Sequence, residues 1–364
     1  MAADKRTAWL AAYREMIGFF PFLSTFFRTT PRDIRNAESV KIDIKRNGRK
    51  VAPVISDFTA QGGKVKRSVY SNKEFVPPIV ALSGDVAPGD LTEKIFGENE
   101  YDSADESYIM QLMEILLELG VEIDGQFMRH LEYQAAQIFQ TGELTLQDAN
   151  GNDAYTIDFF PKASHFPTVS TSWASTSTAT PDADLRALYT QIKKDGKVNP
   201  KNIIFGENAY TYYITNTNVE TKFDLRRVET GIFNPQEVNP DAMYLGDILI
   251  DGGVRVAAWK YDGYYENAAG TILPFVGTDK VIMLPEAGGQ NVDFRRVWCK
   301  VPTITGIDPR FASLVPAQIN TDQSRYTTRV WTDGGTDSLN MELKARPLSI
   351  PVSIDAFGCL DVIP

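Results

Sequence analysis

Apolar residues at Ile109, Leu112, Leu116, Leu119, Ile123, Phe127, Leu131, Ala135 and Ile138 recur in steps of three or four, the spacing of one helix face. The pattern predicts a single long helix over 103–140. Ser103-Ala104-Asp105-Glu106 supplies a capping box at its start, and Thr141-Gly142 offers a glycine for a left-handed closing position. At 1.5 Å per residue such a helix runs about 55 Å, longer than a compact domain is wide, so it needs a long partner surface.

Elsewhere the period shortens to two. Val51-Ala52-Pro53-Val54-Ile55 and the run 64–70 flank Gln61-Gly62-Gly63, and 143–146 and 155–159 alternate on either side of Asn150-Gly151; both read as hairpins. The stretch 164–180 is rich in Ser and Thr with little periodicity and reads as a linker or a boundary crossing between units. Thr180-Pro181-Asp182 then opens a helix carrying Leu185, Leu188, Tyr189 and Ile192. Short apolar runs at 202–205, 247–250, 254–259 and 281–284, with a helix at 209–215, predict an α+β unit around a small sheet. The segments 293–305, 326–331, 339–346 and 350–354 look extended, and are expected to return beside the 143–159 hairpin.

The first forty residues have no core of their own. Five phenylalanines fall within nine positions, Phe19, Phe20, Phe22, Phe26 and Phe27, and must dock on the body of the chain or on a neighbour. The most apolar run, 16–27, is broken by Pro21 and is too short to span a bilayer. Arg14 and Glu15 interrupt any signal-peptide core, and no small-residue cleavage site follows Phe27, so secretion is not expected.

Charge changes the picture more than composition does. With 364 residues, 43% of them hydrophobic, the chain is ordinary globular material, while a net charge of −10 argues against gripping nucleic-acid phosphates. The sum hides an asymmetry: 41–73 holds nine Lys or Arg against two acids, and 85–106 holds eight acids against Lys94 alone. Two such stretches can pair within one subunit or between copies, although charge runs are more commonly solvated faces.

Catalytic chemistry finds no foothold in the residues. His130 lies at the border of the helical stripe and His165 in a polar stretch, too isolated for a zinc set or a nucleophile-activating pair. Cys299 and Cys359 have no metal-site spacing and read as small core residues in a reducing compartment. No phosphate-cradling loop precedes a lysine, and Asp148, Asn150, Asn152 and Asp153 imitate only half of a calcium loop. No cofactor is expected.

Several motifs in consistent order carry a resemblance. They are Pro21-Phe22-Leu23-Ser24-Thr25-Phe26-Phe27-Arg28, Asp224-Leu225-Arg226-Arg227, Tyr244-Leu245-Gly246-Asp247, Tyr264-Tyr265-Glu266-Asn267 with Leu273-Pro274, and Lys344-Ala345-Arg346-Pro347-Leu348. In these the chain resembles tailed-bacteriophage major capsid proteins of the lambda E type, a branch of the Hong Kong 97-type capsid fold. The resemblance implies an α+β subunit with an N-terminal arm at 1–40, an extended β-hairpin loop at 41–95, a peripheral domain at 96–179 with its spine helix, an axial domain at 180–290, and a return to the peripheral domain at 291–364. It implies a structural protein, not an enzyme, forming hexamers and pentamers of a virion shell in the host cytoplasm. That shell encloses DNA without sequence-specific binding, with a decoration protein, a scaffold and a portal as further partners and no membrane. Candidate intersubunit residues are Phe22, Phe26, Phe27 and Arg28 of the arm, Lys64, Lys66 and Arg67 of the loop, and Glu98, Glu100 and Asp102 as their acidic target. Some members of the wider fold cross-link a loop lysine, for which Lys64, Lys66 and Lys73 qualify by location only; the lambda-like branch is not expected to do so. Another phage structural protein, such as a tail tube subunit, and a carbohydrate-active hydrolase are the alternatives.

Overall fold

The computed structural model describes residues 19–35, 37, 39–45, 70–90, 108–148, 151–224, 231–301, 326–333, 335 and 338–364. Two 3-10 turns, Leu23–Phe26 and Pro31–Asp33, precede β1 (Ile34–Arg35), β2 (Val40–Lys45), β3 (Tyr70–Phe75) and β4 (Val80–Val86). The long helix α1 (Tyr108–Thr141) follows, then β5 (Glu143–Gln147) and β6 (Asp153–Asp158). The middle of the chain supplies α2 (Pro181–Asp195), β7 (Pro200–Phe205), α3 (Glu207–Ile214), α4 (Thr217–Asp224), β8 (Gly231–Asn239), β9 (Ala242–Ile250) and β10 (Val254–Tyr261). After β11 (Tyr264–Glu266), β12 (Ile272–Pro274) and β13 (Lys280–Pro285) come β14 (Phe294–Cys299), β15 (Tyr326–Asp333), β16 (Ser338–Ala345), β17 (Pro347–Pro351) and β18 (Gly358–Asp361).

Helix α1 has 34 residues and stops where the sequence said it would. Gly142 closes it at φ +74°, its N–H 2.8 Å from the Ile138 carbonyl. A Cβ there would lie 2.2 Å from Pro161 Cγ, so space as well as backbone demands glycine. The capping box at Ser103 lies outside the described residues.

Among the described residues the largest sheet has the order β18-β13-β7-β10-β9-β8, with β7 and β10 parallel and the other pairs antiparallel. β13 and the end of β7 read as continuous apolar runs because both faces are covered there. Ile203, Phe205, Val281 and Met283 face Leu185, Leu188 and Ile192 of α2, while Ile204, Ile282 and Leu284 share a core with Ala135, Ile138 and Phe139 of α1. A smaller sheet, β15-β16-β4, packs on the first half of α1 through Val80, Leu82, Leu343 and Ala345 against Leu119, Ile123 and Phe127. A Cβ on Gly84 would meet Leu119 Cδ1 at 2.4 Å, which is how closely strand and helix approach.

The structure corrects the expected strand pairing at the end of the chain. β5 and β6 pair only with each other among the described residues, and none of the later strands there hydrogen-bonds to them, although Leu144 and Leu146 share a core with Leu348 and Ile350. β16 joins β4, a strand that the sequence reading did not single out, β17 joins β14, and β18 extends the large sheet. Short strands buried on both faces, such as β17, carry no alternation from which a partner can be read.

The stretch 164–180 is pinned to the body of the chain. Trp173 is fully buried, its backbone N–H donating to Val362 and its indole Nε1 to Asp184 Oδ2 at 2.9 Å. His165 is likewise fully buried, Nδ1 lying 2.8 Å from the Phe357 carbonyl and Nε2 3.3 Å from Asp195 Oδ2. Thr180 caps α2 with its carbonyl, which accepts from Ala183 and Asp184, while its side chain makes no cap bond.

Candidate assembly interface

The aromatics of the arm have to be buried somewhere. The structure docks its described part on the chain itself. Phe22, 8% exposed, stacks on Tyr261 at 5.7 Å and lies 5.0 Å from Trp259. Phe27, 4% exposed, stacks on Phe139 at 5.1 Å and also meets Phe294. Both rings are enclosed within the subunit and leave little surface for a neighbour. Phe26, half-buried, sets its edge on Phe139 at 6.2 Å. Arg28 stays largely exposed, with Nη2 2.8 Å from Asp293 Oδ1. Burial alone would lift the Asp293 carboxyl; Arg295 and Arg28 reverse that and hold it below its ordinary value.

Beneath the rings lies a polar cradle that sequence reasoning missed. Glu132 of α1 is fully buried and accepts from the backbone N–H groups of Phe22 at 3.1 Å, Leu23 at 2.6 Å and Ser24 at 2.8 Å, and from the Tyr261 hydroxyl at 3.0 Å. A carboxylate at the N-terminal end of a helical turn suits the turn's unpaired donors and its dipole. From the other side Arg296 Nη2 donates to the Ser24 carbonyl at 3.1 Å. One side chain thus ties the arm, the long helix and the large sheet together. Burial pushes the Glu132 carboxyl above its ordinary value, and the four donors only partly offset it. The available signal was its spacing, since Glu132 stands three and seven residues before Ala135 and Phe139 on the buried face.

A second junction fixes the stem of the loop. β2 and β3 pair antiparallel from Val40 opposite Phe75 to Lys45 opposite Tyr70. The Lys73 ammonium lies 3.8 Å from the centre of the Phe160 ring, Phe75 packs on Phe159 at 5.5 Å, and the Tyr155 hydroxyl donates to the Val76 carbonyl. Arg346 donates through Nε and Nη2 to the Pro77 carbonyl at 3.1 and 3.0 Å. Phe160 holds φ +57°, an uncommon conformation for a bulky residue, with its N–H on Asp158 Oδ1 at 2.6 Å. Lys64, Lys66, Arg67, Glu98, Glu100 and Asp102 lie outside the described residues, as do the strands expected at 51–55 and over 64–69.

The third feature faces outward. On the first half of α1, Leu117 is 66% exposed and Val121 70%, with Met128 further along and Glu118, Glu122 and Asp124 exposed among them. Two apolar residues one turn apart form a stripe rather than a scatter.

The remaining candidates for chemistry are structural. His130 lies 3.0 Å from the Gln134 amide nitrogen, and burial together with the charge of Arg296 brings its pKa down to about 4. Cys299 and Cys359 are free and buried, and burial pushes the Cys359 thiol up to about 12. Among the described residues no group of three or more His, Cys, Asp or Glu is placed to hold a metal ion, and no helix is long and apolar enough to cross a membrane.

Comparison with known proteins places this architecture. The fold is similar to that of a protein assigned as a prophage capsid protein of E. coli CFT073, at 13% identity, TM-score 0.62, covering 94% of this chain and 93% of that one. It is also similar to a phage-related protein of Bordetella bronchiseptica RB50, at 9% identity, TM-score 0.50, covering 93% and 91%. Among curated proteins none matches. The family described as phage major capsid protein E matches residues 10–358, nearly the whole chain. The chain therefore belongs to the phage major capsid protein E family, whose members are structural components of the virion and not enzymes.

Proposed function

We propose that copies of this chain close, as hexamers and pentamers, into the icosahedral shell of a phage head around double-stranded DNA. The family match over residues 10–358 carries this reading. The outward stripe of α1 supports it, since Leu117 and Val121 stand in water unless a second copy covers them. In this reading 1–40 is the arm, 41–95 the extended loop, 96–179 the peripheral domain, 180–290 the axial domain around which capsomers gather, and 291–364 the return to the periphery. The basic loop reaches a neighbouring subunit, with Lys64, Lys66 and Arg67 directed to Glu98, Glu100 and Asp102. A decoration protein, a scaffold, a portal and assembly in the host cytoplasm follow from the lambda-type resemblance. The net charge of −10 suits a wall that encloses DNA without gripping it.

Electron microscopy of the purified full-length protein tests the reading. Closed shells of capsomers are expected; rings or tubes would favour a tail protein, and dispersed monomers under every assembly condition would overturn it. Reversing Lys66 and Arg67 to glutamate should block shells and leave a soluble folded subunit, and normal shells from that variant would refute the charge pairing.

A further inference from the structure

Five phenylalanines in nine residues give the arm more than one way to fill an aromatic cleft. Apolar burial is non-directional, so a groove that accepts one ring accepts another of the same kind. Two neighbouring frames compete with the observed one. If each arm site took the following residue, Ser24 would enter the site of Leu23, which is 0% exposed, at the cost of a buried hydroxyl. If each site took the preceding residue, Phe26 would fall in the buried Phe27 site and Phe22 in that of Leu23. Hydrophobicity rejects the first frame; the second keeps the Leu23 and Phe27 sites apolar, but it sets Pro21 between Trp259 and Tyr261 in place of Phe22, and Leu23 in the buried Ser24 site, so it is weakened without being excluded.

The second frame fails on hydrogen bonds. Glu132 needs three consecutive backbone donors, which the observed frame supplies from Phe22, Leu23 and Ser24. In the competing frame the first donor position belongs to Pro21, which has no N–H. A fully buried carboxylate would then lose one of its three arm partners. We propose that Glu132 is the register lock of the arm, and that Glu132 and Pro21, added to the fit of the rings, select the frame in which the arm docks. Arg296 reinforces the choice through the Ser24 carbonyl, so that Ser24 is held by its N–H and its C=O at once. Buried polar groups that fix register at some cost in stability are known from coiled coils. The inference rests on the geometry of one subunit and stands apart from the shell reading.

The test places 4-fluorophenylalanine at position 22 of the full-length protein and counts fluorine resonances by magic-angle-spinning NMR, which works in any assembly state. The wild type should give one resonance, shifted by the Trp259 and Tyr261 rings that flank Phe22 at 5.0 and 5.7 Å. Pro21→Ala, which leaves every observed hydrogen bond of the cradle in place, should add a second, minor resonance from the slipped frame. Glu132→Leu should give two or more of comparable intensity, and Glu132→Gln, which keeps one acceptor and the volume, an intermediate spectrum. Tyr261→Phe, which removes the donor outside the arm, should keep one resonance. A single docked resonance from Pro21→Ala would remove the proline from the proposal. A single docked resonance from the Glu132 variants would overturn the lock, showing that the rings choose the frame themselves. Glu132 variants resonating only at the position of a free arm peptide would overturn it too, because Glu132 would then hold the arm without selecting its frame.

Discussion

The two halves of α1 meet different fates. From Leu131 to Phe139 the helix is buried on several faces, with Glu132 and Gln134 enclosed together with Ala135, Ile138 and Phe139. Nearer its start only one stripe, through Leu119, Ile123 and Phe127, is covered by the small sheet, and Leu117 and Val121 look outward. The buried half has polar partners for its polar groups; Gln134 donates to the Pro347 carbonyl and accepts from the Ser349 N–H. The outward half has apolar groups without partners. One half is enclosed by the subunit, and the other is covered along one stripe and leaves Leu117 and Val121 at the surface.

The contrast fails if the buried half can be cut away cheaply. Phe139 touches Phe27, Phe294 and Phe357 at 5.1, 5.6 and 5.5 Å. Phe139→Ala should cost about 3–5 kcal/mol in a denaturant titration of the subunit. A loss under about 1 kcal/mol would mean that this half is not core.

A smaller effect comes from pH. The folded state holds His130 neutral, with its pKa brought from 6.5 to about 4, whereas the unfolded chain binds a proton already below the ordinary value. Its stabilisation is therefore complete above the ordinary pKa and is lost as pH falls toward the folded one, by up to about 3 kcal/mol. Glu132 acts with the opposite sign: its folded pKa is raised, so its contribution declines as pH rises through that value. Comparing His130→Gln with wild type at pH 7 and pH 4.5 should show the variant losing less stability on acidification. Equal losses would place His130 in water.

The smallest effect on the subunit belongs to the outward stripe. Leu117→Ser with Val121→Ser should change subunit stability by no more than about 0.5 kcal/mol per site, as surface substitutions do, yet lower the assembled fraction measured by sedimentation. A large stability loss with assembly intact would reverse the assignment of the two halves.

How much of this was legible in the sequence follows from the same physics. The end of α1, the α2 pattern and the β5–β6 hairpin came through because periodicity and turn glycines are local signals. β4 did not, since Val80–Val86 falls between the basic and the acidic windows and only Asp85 and Val86 enter the latter. The strand expected at 350–354 lies earlier, as β17 at Pro347–Pro351, and β18 is too short to carry a period. Glu132 was passed over because burial of a carboxylate depends on donors from residues 108 to 129 positions away, which no local window contains. His165 was judged by its polar neighbours in sequence, while its partners are Phe357 and Asp195.

Hydroxyl-radical footprinting of α1, run on the unassembled subunit and on purified particles, reports both halves in one experiment. Labelling of Leu117, Val121 and Met128 should fall severalfold on assembly, while Phe139 stays protected in both states. Equal labelling of the stripe in subunit and particle would contradict the claim that this half of the helix is kept for other copies of the chain.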